Sequence, residues 1–374
     1  MMNRSLNLMM AASVAGLLGF YLLFATVPLY AATGGAGELG AGAATGVMML
    51  ATVLAELAVP WLLARLGYRA VLGLGLALLG LPALLLPLSA ALPLVLAASL
   101  LRGAGLGVLV VAGTALTAQL VPADRRGEGM GLYGMAVGVP SILGLPLGVW
   151  AGGAIGFVPV FVVAGLIPLA GLGAVLGLPR IVPRPSGPGE RGAGLRGLAA
   201  PALIFAGVTT ATGVVVTFLP LAASPGLASL ALLVQSLTTP VARWLAGRSG
   251  DRHGSARLVV PGLLAAVTGM ALQIWVGSPV AVVAGMAVFG AGFGVLQNAT
   301  LALMLERGEA ARVSTLWNLA YDAGMGVGAM GFGLVLGHTG YPLGFALVAA
   351  LMAVTLPLAR VRSEVRPACA PLPR

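Results

Sequence analysis

Arg102-Gly-Ala-Gly-Leu-Gly-Val-Leu109 occurs a second time, with two residues changed, as Phe289-Gly-Ala-Gly-Phe-Gly-Val-Leu296. The copies are 187 positions apart, and both lie inside long apolar runs. Arg65-Leu-Gly67 and Arg252-His-Gly254 are separated by the same 187 positions. One offset at two separate motifs marks an internal repeat. Other pairs keep the same order along the chain. Pro28-Leu29 matches Pro220-Leu221 at 192, while Leu132-Tyr133 with Leu316-Trp317 and Gly156-Phe157 with Gly340-Tyr341 both match at 184. The repeat unit is therefore half the chain.

The runs that carry the repeat are membrane runs. Of 374 residues, 59% are hydrophobic and 8% charged, against about 25% charged in soluble proteins. The mean hydropathy is +1.05. A helix needs about 20 apolar residues to cross a hydrocarbon core of roughly 30 Å. The pattern predicts twelve such spans, at 6–30, 41–64, 70–89, 93–120, 129–151, 156–178, 201–223, 226–246, 257–277, 279–304, 314–336 and 341–360. The first run is too long for a signal-peptide core and reads as a retained helix. The fold class is all-α membrane protein, with six spans in each repeated half.

The net charge of +10 comes from 20 basic residues, all of them arginine. They sit in gaps between apolar runs instead of clustering on a soluble face, which argues against nucleic-acid binding. Placing the N-terminus inside puts 19 of the 20 on the inner side, Arg243 at the end of span 8 among them. Such asymmetry sets orientation and predicts an inner (cytoplasmic) membrane protein with both termini cytoplasmic. The inner gap 179–200, rich in Pro, Gly and Arg, reads as a linker between residues 1–178 and 201–374. The single cysteine, Cys369, excludes an intrachain disulfide.

On these residues the chain resembles the major facilitator superfamily. That family carries G-x-x-x-D-R-x-G between helices 2 and 3 and echoes it between helices 8 and 9. The echo is intact as Gly247-Arg-Ser-Gly-Asp251-Arg252-His-Gly254, whereas the first copy keeps Arg65, Gly67 and Arg69 but has Pro60 and Ala64 in place of Gly and Asp. Arg102-Gly103-Ala-Gly105 matches an Arg-plus-Gly motif of helix 4. Gly144-Leu-Pro146-Leu-Gly148 loosely matches a helix-5 motif of proton-driven exporters. The resemblance implies a transporter fold, gating at the two loop motifs, and a cavity lined by helices 1, 4, 7 and 10.

Three charges fall within spans: Glu56, Arg102 and Asp322. Buried charges cost about 2.5–3.5 kcal/mol on insertion scales and point to function. Glu56 and Asp322 are each eight residues from the inner ends of spans 2 and 11, so roughly 12 Å deep. In the resembled fold those helices meet between the halves, where two acids at one depth could share a proton. Each could instead be structural, bonding a neighbouring helix. Arg102 could tune a nearby acid, bind an anionic substrate group, or form a permanent ion pair.

The candidate cavity residues are Tyr21, Thr26, Tyr30, Thr209, Thr210, Thr212, Thr217, Gln297 and Asn298, with Gln235 and Asn318 beside them. They could hydrogen-bond a ligand or glue helices together. The mostly apolar wall favours a lipophilic or amphiphilic substrate. Gly103/Gly107, Gly134/Gly138, Gly144/Gly148, Gly290/Gly294 and Gly324/Gly328 have the four-residue spacing of close helix packing. There is no Walker loop, metal-ligand cluster or nucleophile–base pair, so no cofactor and no enzyme activity are expected. The expected function is proton-coupled export of small organic molecules by a monomer using protons as its energy source. Proton-linked uptake, a uniporter, and a transporter-like sensor or lipid-handling protein are the alternatives.

Overall fold

The computed structural model describes residues 4–121, 126–179 and 195–359. Most of the expected linker at 179–200 lies outside them. Helices α1 (Arg4–Phe24) and α2 (Thr26–Ala31) are followed by a π-turn and by α3 (Gly37–Gly80). Then come α4 (Leu92–Leu120), α5 (Arg126–Ala154), α6 (Phe157–Leu176), α7 (Leu195–Ala222) and α8 (Pro225–His253). The remainder is α9 (Ala256–Ala271), α10 (Pro279–Leu305) and α11 (Ala310–Ala353). Among the described residues nine helical runs are long and apolar enough to cross a membrane.

Two of those runs are too long to be single spans. Arg4–Leu88, at 85 residues, would reach about 130 Å at 1.5 Å per residue. It turns at Gly35 and Gly37 and again at Gly67, all with positive φ. The α11 run turns at Gly340, where φ is +66°. A side chain is strained in that region, so glycine lets the chain reverse within about one residue. Divided at these turns, the nine runs become the twelve expected spans. Span 1 is α1 with α2, α3 holds spans 2 and 3, α11 holds spans 11 and 12, and α4 to α10 are spans 4 to 10.

Other boundaries follow the usual end chemistry. Ser224 and Ser278 accept hydrogen bonds from Leu227 N and Ala281 N, and Pro225 and Pro279 follow them. Proline suits this first helical position because its missing N–H would have had no partner there. Gly156 (φ +87°) ends the turn before span 6, and Gly254 (φ +86°) the turn before span 9.

The repeat is visible in the packing. A Cβ on Gly103 would meet the carbonyl of Met48, and one on Gly290 would meet Gln235, its counterpart 187 residues on. One on Gly107 would lie 2.5 Å from Thr52 O and 3.2 Å from Glu56 Cγ. Its counterpart on Gly294 would meet Thr239 O and lie 3.0 Å from Arg243 N. Span 4 therefore packs on span 2 as span 10 packs on span 8, with the backbones in near contact at the repeated glycines. Trp61, Trp150, Trp244, Trp275 and many leucines remain exposed around the bundle, as expected of a surface that faces lipid.

The structure corrects one placement. The motif spacing puts Arg65, Gly247, Asp251 and Arg252 in loops, yet they lie in the last turns of helices, and the turns proper are Gly67 and Gly254. A helix can extend past the apolar core into water, so the hydropathy pattern ends before the helix does. Arg243, expected at the end of span 8, lies ten residues before the end of α8 at His253, as Glu56 lies eleven before the Gly67 turn.

Candidate functional site

The two halves touch along a line with a definite end. Spans 2 and 11 run antiparallel. A Cβ on Gly333 would lie 3.0 Å from Glu38 O, one on Gly42 2.6 Å from Ala329 O, one on Gly46 3.2 Å from Met330 Cβ, and one on Gly326 2.8 Å from Met49 Cβ. Thr45 and Thr217 join hydroxyls at 2.9 Å, both buried. On the other flank Ser229 donates to Pro146 O at 2.8 Å, and Gly153 faces Pro225. All of these lie toward the bundle end remote from the N-terminus. Glycines decide this closeness: without side chains, backbone can approach backbone.

Glu56 and Asp322 come next along the line, and their carboxyl groups are within hydrogen-bond reach of each other. Asp322 is only 8% exposed, while Glu56 is half-buried. Glu56 is eleven residues from the Gly67 turn and Asp322 twelve from the start of α11 at Ala310. Counted from the helix ends, both lie about 16–18 Å along the axis, so the two are again alike. Tyr21 of span 1 and Tyr321 of span 11 stand within electrostatic range of Asp322 and of each other. Tyr321 also borders the stack formed by Phe205, Phe293 and Trp317.

Arg102 lies apart from this pair. It is 1% exposed, its Nη2 donates to Phe20 O at 3.2 Å, and its carbon Cζ is 6.0 Å from the Phe20 ring centre. Its Nε and Nη1 find no partner among the described residues. An ion pair, one of the three expectations for Arg102, is therefore not formed with any described residue.

The polar candidates divide. Tyr21, Gln235, Gln297, Asn298 and Asn318 have no hydrogen bond from their side-chain ends to another described residue. Thr26 and Thr210 donate to their own helices at Leu22 O and Ala206 O. Thr209 and Thr212 are likewise bonded to backbone, and Thr217 to Thr45. Tyr30 is a correction. Its hydroxyl donates to Leu86 O at 3.1 Å and its ring packs against Phe157 and Phe161, between spans 1, 3 and 6 and away from the line between the halves. Arg65 caps the Trp61 ring at 4.4 Å, and Arg69 follows the Gly67 turn. Sequence reasoning missed Tyr321, adjacent to Asp322 in the chain, because aromatic residues in an apolar run give no contrast.

The pattern that defines the Major Facilitator Superfamily matches residues 9–223, more than half of the chain. The chain belongs to the Major Facilitator Superfamily. No curated protein sequence matches it significantly. Among solved structures, a POT family transporter is similar with a TM-score of 0.80 and 13% identity, covering 95% of this chain and 94% of that one. The nucleoside transporter NupG is similar at 0.73 and 16%, covering 96% and 99%. A D-xylose–proton symporter is similar at 0.73 and 16%, covering 94% and 96%. At such identities the likeness speaks for the fold. It agrees with the repeat and with the antiparallel meeting of spans 2 and 11. The chain is thus a multi-pass membrane protein with a Major Facilitator transporter fold.

Proposed function

We propose that this chain is a proton-coupled secondary transporter of small organic molecules, in which residues 1–178 rock against residues 201–374. The observation that carries this reading is the contact of Glu56 with Asp322 across the two halves. An ionised carboxylate can only accept hydrogen bonds, so a hydrogen bond between two carboxyl groups needs a proton. Without it, two like charges about 4 Å apart repel by about 4 kcal/mol at an effective dielectric of 20. A bound proton therefore favours the arrangement seen here, closed at the end remote from the N-terminus. Its release favours parting of spans 2 and 11. Tyr21 and Tyr321, within electrostatic range of Asp322, are the proposed polar neighbours of the pair.

Export is the direction we propose, on the helix-5 pattern. Gly144 and Gly148 press span 5 against the backbone of span 1 at Tyr21 and Leu22, and Pro146 supplies the carbonyl that binds Ser229. Proton-linked uptake uses the same acid pair in the opposite sense, and the named D-xylose–proton symporter is a fold relative that would suit it. The turns at Gly67 and Gly254, with Arg65, Arg69, Gly247, Asp251 and Arg252 around them, are the proposed gating elements. The protein is proposed to act as a monomer in the inner membrane with both termini cytoplasmic.

The test is growth of a pump-deleted bacterial host on a panel of toxic compounds, with the parent and Asp322→Asn at equal expression. Resistance given by the parent and lost in the variant supports proton-driven export. Resistance retained by the variant removes Asp322 from the mechanism. No resistance to any compound, together with proton-dependent accumulation of a solute in proteoliposomes, would replace export with uptake.

A further inference from the structure

Glu56 has a counterpart in the second half, and it is Arg243. The two are 187 positions apart, the offset that relates Gly67 to Gly254 and Gly107 to Gly294. Each sits in the same register, Glu56 beside Gly107 and Arg243 beside Gly294. Asp322 has a counterpart as well. The offset of 184 that relates the turn glycines Gly156 and Gly340 takes Asp322 back to Gly138 on span 5. Spans 5 and 8 pack together, as spans 2 and 11 do.

The two equivalent places differ in their contents. Glu56 meets a second carboxyl. Arg243 stands on the flank where the equivalent of Asp322 is a glycine, and a Cβ on Gly138 would meet no described atom within 4 Å. The Arg243 side chain is exposed, yet Tyr321, which also senses Tyr21 and Asp322, lies within its electrostatic range. By the repeat, Arg243 takes on span 8 the place that Glu56 takes on span 2, where Glu56 meets the other half. Among the described residues no carboxylate reaches it. A charge at this depth is costly unless water or an anion attends it.

We propose that Arg243 and the open space at Gly138 form an anion subsite, so that the transported molecule carries a carboxylate or similar anionic group on an apolar or aromatic body. This deepens the transport reading and rests on it. The guanidinium is a planar fork suited to bidentate recognition of a carboxylate. Tyr21, Tyr321 and Trp317, each partly exposed, offer the body an aromatic wall. The carboxyl pair on the opposite flank would repel the same anionic group, which fixes the orientation of the bound molecule.

The test uses the purified full-length protein in detergent and reads quenching of its tryptophan fluorescence. The probes are benzoate, 4-phenylbutyrate and octanoate, each paired with its uncharged amide. At least one carboxylate should bind tenfold or more tightly than its amide. Arg243→Gln should abolish that preference and Arg243→Lys should retain part of it. Gly138→Asp, which supplies the missing carboxylate from the protein, should also abolish it. Size-exclusion profiles confirm that each variant is folded. Equal binding of every acid and amide, absence of binding by all six, or a preference that survives Arg243→Gln would overturn the proposal. Asp322→Asn separates it from the coupling reading. Carboxylate preference kept while proton coupling proves absent in the parent would sink only the proton-coupled function. Coupling present with no carboxylate preference would sink only the anion subsite.

Discussion

Thr45 and Thr217 join their hydroxyls at 2.9 Å, both fully buried, at a point where spans 2 and 7 meet from opposite halves. Thr52, one further position along the same helix face, instead turns its hydroxyl to Met48 O and Gly103 O within its own half. The first bond must break whenever the remote side opens. The second can persist throughout.

Thr45→Val therefore strands the Thr217 hydroxyl in the closed state. A buried, unsatisfied polar group costs about 1–3 kcal/mol, so the equilibrium should shift toward opening of the remote side. Spin labels on the exposed Thr33 and Ser224 should show a new, longer distance population. The double variant Thr45→Val/Thr217→Val removes both partners and should shift less than the two single effects added together. An unchanged distance distribution in both would mean that this bond does not hold the closure.

The acids should behave as one unit. If Glu56 and Asp322 hold a proton between them, Glu56→Gln and Asp322→Asn should each lower proton-driven transport by at least tenfold. The double variant should be little worse than the poorer single one, because residues in one network are not additive. Substrate exchange without a gradient should survive in all three. Losses that multiply would show two independent roles.

Arg102 has two nitrogens without partners among the described residues. Burying a charge without full pairing is costly, and an apolar residue of similar size removes that cost. Arg102→Met should therefore leave the melting temperature in detergent unchanged or raise it, while transport falls by an order of magnitude or more. A lower melting temperature with transport intact would assign Arg102 to structure alone.

The repeated glycines should tolerate nothing larger. Gly107→Ala and Gly294→Ala each force a methyl group against a facing carbonyl. Overpacking of this kind costs about 1–3 kcal/mol. Both variants should unfold at lower temperature by similar amounts, since their contacts are equivalent. Gly173→Ala, with nothing within 4 Å of the added carbon, should not. A difference between Gly107 and Gly294 larger than either loss would argue against equivalent packing.

Much of this was legible in the sequence for definite reasons. Transmembrane helices must satisfy every backbone group internally, so long apolar runs between arginines and glycines can only be spans. The offset of 187 appeared in Arg102–Leu109 and Phe289–Leu296 because close packing admits only glycine there, and the restriction leaves its mark in both halves. Glu56 and Asp322 stood out because acids are rare in lipid, and their equal depth followed from counting along helices.

What the sequence alone could not decide was which partners meet. Hydropathy marks where apolar residues stop and not where α8 ends, since a helix may run on into water. Tyr30 had the same polar signature as Tyr21, yet one bonds Leu86 behind span 1 and the other stands near Asp322. Span positions, turns and the repeat are local or periodic properties, and the order of residues fixes them. The acid pair and the Thr45–Thr217 closure depend on how helices distant in sequence rotate about their axes, and only tertiary packing sets that rotation.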